Sequence, residues 1–218
     1  ARRDTGVASR AAYYLAILAF AAGHDDEGRR LCEETVAGAA RSEEGVEAQL
    51  VLAELEAGRG SVDLAVARLR SAFHAPTLPA RHRGKFAKRL GDVLRWGNDY
   101  AQAIHWYELA GELMPSFRGE VSYRVASCYE EAGDIDLAIS RYRAVRDPVW
   151  IVRGRLAAAK LMERQGRWEA AKGVYEWLAH EPVPEAKVAQ EQLAGDQARL
   201  DRLAEPSVVR DEQVDPWE

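Results

Sequence analysis

The chain is poor in the residues and segments on which most specialised protein chemistry depends. It contains two cysteines in 218 residues, and Cys32 and Cys128 stand far apart, without a CxxC motif or a cluster of histidines nearby. We therefore expect two reduced, buried thiols, and neither a disulfide framework nor a zinc site. No apolar run reaches the roughly 18 residues that a membrane-spanning helix needs. The most apolar stretch, residues 11–22, has the length of a buried helix.

Positively charged residues are not in surplus either. The chain has 30 Lys and Arg against 35 Asp and Glu, a formal net charge of −5. The whole chain therefore offers no attraction to nucleic acid or to an anionic membrane. Between Arg59 and Arg95, however, nine cations stand against two acids. Nucleic-acid binding through residues 59–95 is kept as a minor alternative for this reason.

Motifs of catalysis and cofactor binding are missing as well. The sequence has no phosphate-binding loop, no dinucleotide-binding glycine motif, no nucleophile elbow and no HExxH zinc motif. Its five histidines are scattered over the chain. The acidic runs 25–27 and 134–136 each follow a turn glycine, where carboxylates stabilise the start of a helix. We predict that the chain is not an enzyme and holds no cofactor or metal.

What the chain does contain is a repeat of about 35 residues. Five segments share an apolar helix with a small residue near its middle, a Gly or Asn turn, and a second helix with a small residue in its first turn. The first-helix small residues are Ala16, Ala53, Gly91, Ala126 and Ala159, and the second-helix ones are Gly28, Ala65, Ala103, Ala138 and Ala171. Small residues at these points let two helices approach closely. Hairpins that each leave one apolar face bare are expected to stack.

The large residues of the second helices complete the pattern. Four residues after the small residue stand Cys32, Leu69, Tyr107, Tyr142 and Tyr175. The pattern resembles the tetratricopeptide repeat, whose consensus has W-x2-L-G-x2-Y in the first helix, A-x3-F in the second and a proline after it. The third segment fits best, with Leu90-Gly91-x2-Leu94, then Ala103-x3-Tyr107, then Pro115, although Ala87 stands at the tryptophan position.

The resemblance implies an all-α, right-handed superhelix of about five helical hairpins. We place the hairpins at about residues 8–40, 43–74, 83–115, 118–147 and 149–180. Between the second and third hairpins, Pro76, Pro79 and the basic run 81–83 predict a surface loop. A helix over residues 184–204 is predicted to cap the last apolar face, so that one domain covers residues 1–204. Residues 205–218 are expected to form a disordered, acidic tail or linker.

The resemblance also implies where a partner binds. In proteins with such repeats the first helices line a concave groove that holds a peptide or helix of another protein. On this sequence the predicted partner-binding residues are Lys85, Lys88, Arg89, Arg95, Trp96, Tyr123, Arg124, Arg153 and Lys160. Cations beside aromatic rings would suit an acidic peptide or a C-terminal carboxylate. A receptor for chaperone tails is not expected, because Asp92 stands where such receptors have an asparagine.

The predicted function is therefore a protein–protein interaction scaffold or adaptor. The alternative is a regulatory or assembly domain of a larger bacterial envelope, secretion or signalling complex, because the chain is rich in alanine and arginine and opens with Ala1. We expect a fragment or processed form, soluble in a bacterial cytoplasm or periplasm and not inserted in a membrane. The apolar residues Tyr13, Ile17 and Phe20 face a ligand, an upstream repeat or another copy, so self-association through this end stays open.

Overall fold

The computed structural model describes residues 2–76, 78–181, 187 and 190–195, and all regular structure in these ranges is helical. The α-helices are α1 (Arg2–Ala21), α2 (Asp25–Ala39), α3 (Glu43–Gly58), α4 (Val62–Phe73), α5 (Ala80–Trp96), α6 (Tyr100–Leu113), α7 (Arg118–Glu131), α8 (Ile135–Ala144), α9 (Ile151–Arg164) and α10 (Trp168–Ala179). A 3-10 turn, Pro115–Phe117, precedes α7. The predicted all-α class is confirmed.

The helices follow one another as hairpins, and the chain divides into two compact units, residues 1–154 and 155–218. In the first unit each helix from α1 to α8 packs against the next. The first helices of neighbouring hairpins also touch, α1 against α3 and α3 against α5. Contact restricted to neighbours in this way is the mark of a stacked helical repeat, so the predicted solenoid is confirmed.

Residues in the left-handed region close the hairpins. Positive φ angles occur at Gly23 (77°), Gly60 (82°), Asn98 (61°), Gly133 (89°) and Gly166 (74°). Glycine and asparagine adopt this conformation more readily than other residues. The Gly and Asn turns predicted from the repeat are therefore confirmed, and in the third hairpin the left-handed residue is Asn98 and not Gly97.

The small and large residues of each hairpin meet where its two helices cross. In the third hairpin a Cβ atom added at Gly91 would lie 2.6 Å from the Tyr107 ring, so the bare glycine lets α5 and α6 approach. The first hairpin exchanges these roles. There a Cβ atom at Gly28 on α2 would lie 2.6 Å from the Phe20 ring on α1. The large side chain thus comes from the first helix, which leaves room only for Cys32 on the second.

Both cysteines belong to this core. Cys32 and Cys128 are fully buried and form no disulfide. Burial raises the pKa of the Cys32 thiol to about 11 and that of Cys128 to about 12. Because the thiolate is the reactive form, both thiols are inert in the folded protein.

The link between the second and third hairpins is shorter than the sequence suggests. We expected the basic run 81–83 to lie in a surface loop, but α5 begins at Ala80 and takes that run into its first turn. Pro79 precedes the helix with φ −60°, an angle that suits a helix start. The expected loop was wrong because Pro79 stands immediately before the helix, where a proline does not interrupt the helical hydrogen bonds. His82 is buried as a result.

The second unit contains most of α9, from Arg155 onward, and all of α10. Tyr175 donates a hydrogen bond of 2.5 Å to Glu163, and the Arg155 guanidinium lies 3.7 Å from the centre of the Trp177 ring. The predicted cap helix 184–204 falls mostly outside the described residues. Within it, Lys187 and residues 190–195 are helical, and Gln190 donates to the Ala179 carbonyl at 3.4 Å. The predicted tail 205–218 lies wholly outside the described residues.

Candidate protein-binding surface

The predicted groove residues lie on the first helices of the hairpins. Five of them lie on α5, namely Lys85, Lys88, Arg89, Arg95 and Trp96. Tyr123 and Arg124 lie on α7, and Arg153 lies in the first turn of α9. We call these side chains of α5 and α7, together with the α3 carboxylates that contact them, Glu43, Glu47 and Glu54, the first-helix surface. Lys160 is exposed on the part of α9 that belongs to the second unit.

Ion pairs join α5 to the first helix before it. The Lys85 ammonium lies 2.6 Å from Glu47 and also contacts Glu43, and both carboxylates lie on α3. Arg89 contacts Glu54 of α3 at 2.7 Å. One hairpin earlier, Arg10 of α1 lies 2.7 Å from Glu44 of α3. Cations on one first helix therefore meet carboxylates on the neighbouring first helix.

The same arrangement continues from α5 to α7. Lys88 lies 2.8 Å from Glu120, and Arg95 lies 2.6 Å from Glu131. In the reverse direction, Arg124 of α7 lies 3.0 Å from Asp92 of α5. We call the ion pairs between α1, α3, α5 and α7 the ion-pair ladder.

The ladder changes the electrostatic character that we expected of the groove. We predicted a basic surface, but each of its cations on α5 and α7 contacts at least one carboxylate. These five cations share six carboxylates, which are Glu43, Glu47, Glu54, Asp92, Glu120 and Glu131. Paired groups of both signs leave little net field for an incoming ligand. The charge of this surface is mixed.

The ladder also lowers the pKa of two of its carboxyl groups, Glu120 and Glu43. For Glu120, burial alone would raise the pKa, but hydrogen bonds from Lys88 and Arg124 and their charges outweigh it and lower the pKa. For Glu43, the hydrogen bond from Lys85 is the main cause of a lowered pKa. A carboxyl group whose pKa is lower in the folded than in the unfolded state stabilises the fold when it is ionised.

Acidification should therefore weaken the contact between α5 and α7. The contribution of Glu120 is complete above its unfolded pKa of about 4.3 and is lost as the pH falls through the lower folded value. We expect Glu120→Gln to lower the free energy of unfolding near pH 7 by about 1 kcal/mol or more, and to have a smaller effect near pH 3. Urea unfolding at several pH values measures this difference.

A matched control for that experiment is Glu108→Gln, because Glu108 is exposed on α6 and lies outside the ladder. Its effect should be small and the same at both pH values. If Glu120→Gln destabilises the protein equally near pH 3 and near pH 7, the ion pair is not the source of the stabilisation.

The sequence contains a signal for the ladder that a count of cations along the chain misses. In every repeat a charged residue stands six residues before the small residue of the first helix. The sign of its charge alternates from one repeat to the next. The residues at this position are Arg10, Glu47, Lys85, Glu120 and Arg153. Lys85 and Glu47 from this series contact each other directly. Alternation at equivalent positions predicts pairing between neighbouring repeats, whereas a count of cations along the chain does not.

The two predicted aromatic residues differ in their surroundings. Tyr123 is half-buried, with its ring centre 5.1 Å from that of Tyr142 and 5.4 Å from that of Trp150. The Arg153 guanidinium lies over the Trp150 ring, 5.0 Å from the ring centre. Trp96, at the end of α5, keeps 46% of its surface exposed. Trp96 is therefore the aromatic side chain of this surface that a partner can reach.

The described ranges contain no group of three or more His, Cys, Asp and Glu residues that could hold a metal ion. None of the helices described is long and apolar enough to cross a bilayer.

The matches to known proteins agree with this geometry. The tetratricopeptide repeat family model matches residues 120–147, which cover most of α7 and all of α8. The chain has the tetratricopeptide repeat fold. The C-terminal part of a tetratricopeptide repeat-containing protein from Cytophaga hutchinsonii is 15% identical with a TM-score of 0.66, over 89% of this chain and 74% of that chain.

Two further solved structures show the same likeness. PilF of Pseudomonas aeruginosa is 16% identical with a TM-score of 0.62, over 92% of this chain and 94% of that one. A Rap protein complexed with competence and sporulation factor is 15% identical with a TM-score of 0.54, over 89% of this chain and 66% of that one. No curated protein sequence matches this chain.

Proposed function

We propose that the chain is a protein–protein interaction scaffold that holds a segment of a partner protein on its first-helix surface. The observation that carries this proposal is the exposed Trp96 ring beside the ion-pair ladder. Tryptophan dominates many protein interfaces because its large ring buries much apolar area and its N–H can donate a hydrogen bond. The rigid hairpins hold this ring and the charged groups in fixed positions, which lowers the entropy lost on binding.

The ladder favours a partner segment of mixed charge. A purely acidic peptide would have to compete with Glu120 for Lys88 and with Glu54 for Arg89, since these contacts are already made. A segment that carries both signs can bond to paired cations and carboxylates without separating them. We therefore propose a segment with alternating charges and one large apolar side chain against Trp96. An acidic peptide or a C-terminal carboxylate, predicted from the sequence, is the competing proposal.

Nucleic-acid binding finds less support in the structure. Of the nine cations between Arg59 and Arg95, six contact carboxylates, and these are Arg59, Arg68, Lys85, Lys88, Arg89 and Arg95. Binding to a phosphate backbone depends on cations that release counterions from it, and paired cations contribute little to this. We propose no catalytic role. An assembly role in a larger complex fits the proposed scaffold and needs no separate surface.

We expect Trp96→Ala to weaken partner binding at least about tenfold, because a tryptophan ring that becomes buried on binding is a typical hot spot. Peptides selected from a random display library against the intact chain supply the probe. Their affinities are then measured by titration against the parent chain and the variant. The selected sequences also test the chemistry, since we expect both signs of charge together with a large apolar residue.

The matched control is Leu137→Ala. Leu137 is 40% exposed and lies on α8, the second helix of the fourth hairpin, and so it is not part of the first-helix surface. This variant should bind the selected peptides as the parent does. Equal loss in both variants, or no loss in Trp96→Ala, would show that binding does not use the first-helix surface. A library that returns only acidic peptides would contradict the proposed mixed charge and favour the competing proposal.

A further inference from the structure

A cavity lies at the junction of the third and fourth hairpins. Its volume is about 290 Å³, close to that of the smallest sites that hold small molecules. We call it the α6–α8 cavity, because α6 and α8 line it together with one face of α7. Its charged lining residues are Glu108, Glu112, Arg118 and Arg141, and its apolar base includes the buried Val121 and Val125.

The repeat explains why a cavity forms here. At the junction of the second and third hairpins, Phe73 stands eight residues after the small residue of α4, and Trp106 stands three residues after that of α6. The rings of these two residues contact each other, with centres 5.1 Å apart. At the next junction the equivalent residues are Gly111 and the exposed Arg141. The two rings that meet at one junction therefore have no counterpart at the next.

Two carboxylates line the cavity from α6. Glu108 and Glu112 stand one turn apart, so they project from the same face of the helix. Both are exposed, and neither contacts a cation among the residues that the structure describes. A positively charged group can therefore bind between them without displacing an existing partner.

Two guanidinium groups line the cavity from the other two helices. Arg118, in the first turn of α7, donates through Nε to the Gly111 carbonyl at 3.3 Å, which leaves its terminal nitrogens available. The Arg141 guanidinium of α8 lies 5.6 Å from the centre of the Tyr129 ring. Within the described ranges neither arginine forms an ion pair. Unlike the cations of the ion-pair ladder, both can therefore bind the carboxylate of a ligand.

We propose that the α6–α8 cavity binds a dipeptide with apolar side chains. The ammonium group of the dipeptide contacts the two α6 carboxylates, and its carboxylate contacts the two guanidinium groups. An apolar side chain of the dipeptide packs on the valine base. A free amino acid fits less well, because its two charged groups share one carbon atom, whereas the carboxylates and guanidinium groups of the cavity stand on different helices.

The first test is an NMR titration of the isotope-labelled intact chain with leucyl-leucine. We expect a dissociation constant of about 1 mM or lower, with the largest shift changes at the amides that line the cavity. Nα-Acetyl-leucyl-leucine lacks the ammonium group, and leucyl-leucine amide lacks the carboxylate. Each should bind at least about tenfold more weakly, because one end of the cavity stays unpaired.

Three results of this titration would overturn the proposal. The first is the absence of any binding up to about 10 mM dipeptide. The second is equal affinity for the dipeptide and both blocked forms, since apolar contact alone would then explain the binding. The third is tighter binding of free leucine than of leucyl-leucine.

A second test uses variants of the cavity. Arg141→Gln should raise the dissociation constant of leucyl-leucine at least about tenfold. The matched control is Arg143→Gln, because Arg143 is exposed on the same helix and does not line the cavity. Equal effects of the two variants would contradict the assigned role of Arg141. Circular dichroism confirms that each variant is folded before its affinity is compared.

Glu112→Gln tests the ammonium end of the site by itself. This variant should weaken the binding of leucyl-leucine and leave that of Nα-acetyl-leucyl-leucine unchanged, since the acetylated form has no ammonium group to lose a partner. An equal loss for both ligands would mean that Glu112 does not hold the ammonium group, and the proposed orientation would be wrong.

The cavity is separate from the surface used in the proposed function. Val121 and Val125 share one face of α7, whereas Glu120 and Arg124 of the ladder share another. Trp96→Ala should therefore leave the affinity for leucyl-leucine unchanged, so the two proposals can fail independently. A loss of dipeptide binding in Trp96→Ala would place the dipeptide on the first-helix surface and overturn the inference.

Discussion

Tyr107→Ala should lower the free energy of unfolding by about 3–5 kcal/mol, the largest effect we expect from any single substitution. The Tyr107 side chain is fully buried, and its ring fills the space beside Gly91 between α5 and α6. Alanine would leave a cavity there, because two helices fixed by their neighbours cannot collapse into it. Urea unfolding followed by circular dichroism measures the change.

The Tyr107 hydroxyl accounts for only part of this effect. It donates a hydrogen bond of 2.8 Å to the buried Asp92, which also contacts Arg124 at 3.0 Å. Burial, together with the charge of Asp92, raises the pKa of Tyr107, so the hydroxyl stays protonated and remains a donor. Tyr107→Phe keeps the ring and removes one of two partners of Asp92, and we expect a loss of about 1–2 kcal/mol.

Two comparisons make this prediction specific. The exposed Tyr14 supplies a control, since Tyr14→Ala should change the stability of the monomer by less than about 0.5 kcal/mol. Equal losses for Tyr107→Phe and Tyr107→Ala would mean that the hydrogen bond to Asp92, and not the packing of the ring, provides the stabilisation.

The second large effect is expected at Gly45, near the start of α3. A Cβ atom there would meet the backbone carbonyl of Ala39 and would lie 2.9 Å from the Cα atom of Ala40. Gln49 holds these segments together by donating to the carbonyls of Ala40 and Gly45 at 2.9 and 3.2 Å. Because backbone and not a flexible side chain is in the way, the end of α2 must move.

We expect Gly45→Ala to lower the free energy of unfolding by about 1–3 kcal/mol, even though alanine favours the helix more than glycine does. Gly58→Ala is the control, because Gly58 lies in the same helix and has open space around its Cα atom. That change should raise the stability by about 0.5 kcal/mol. A stabilising Gly45→Ala would show that α2 and α3 are not held as closely as the structure indicates.

The repeated hairpins could be predicted because their signals are local. A small residue such as Ala126, a turn glycine such as Gly133 and a large residue such as Tyr142 recur at fixed spacing, and each acts within one hairpin. The start of α5 could not be predicted in this way. Pro79 is equally compatible with a loop and with the residue before a helix, and only the packing of His82 into the core distinguishes the two.

The sequence predicted that the candidate surface residues lie on first helices, but it did not predict that their charges are paired. The expected positive charge came from a count of charged residues along the chain around Lys85, Lys88 and Arg95. The acids that neutralise these three cations come from other hairpins. Glu47 lies 38 residues before Lys85, and Glu131 lies 36 residues after Arg95. Such pairs depend on the register between stacked helices, which the structure supplies. In the sequence, this register is visible only in the alternating sign of the charge six residues before the small residue of each first helix.

That alternation limits how the number of repeats can change. Deletion of the second hairpin would set Arg10 beside Lys85, and deletion of the third would set Glu47 beside Glu120, so like charges would face each other at the new junction. Removal of two adjacent hairpins, or duplication of a pair, keeps opposite signs adjacent. Engineered arrays of these modules should therefore be lengthened in even steps.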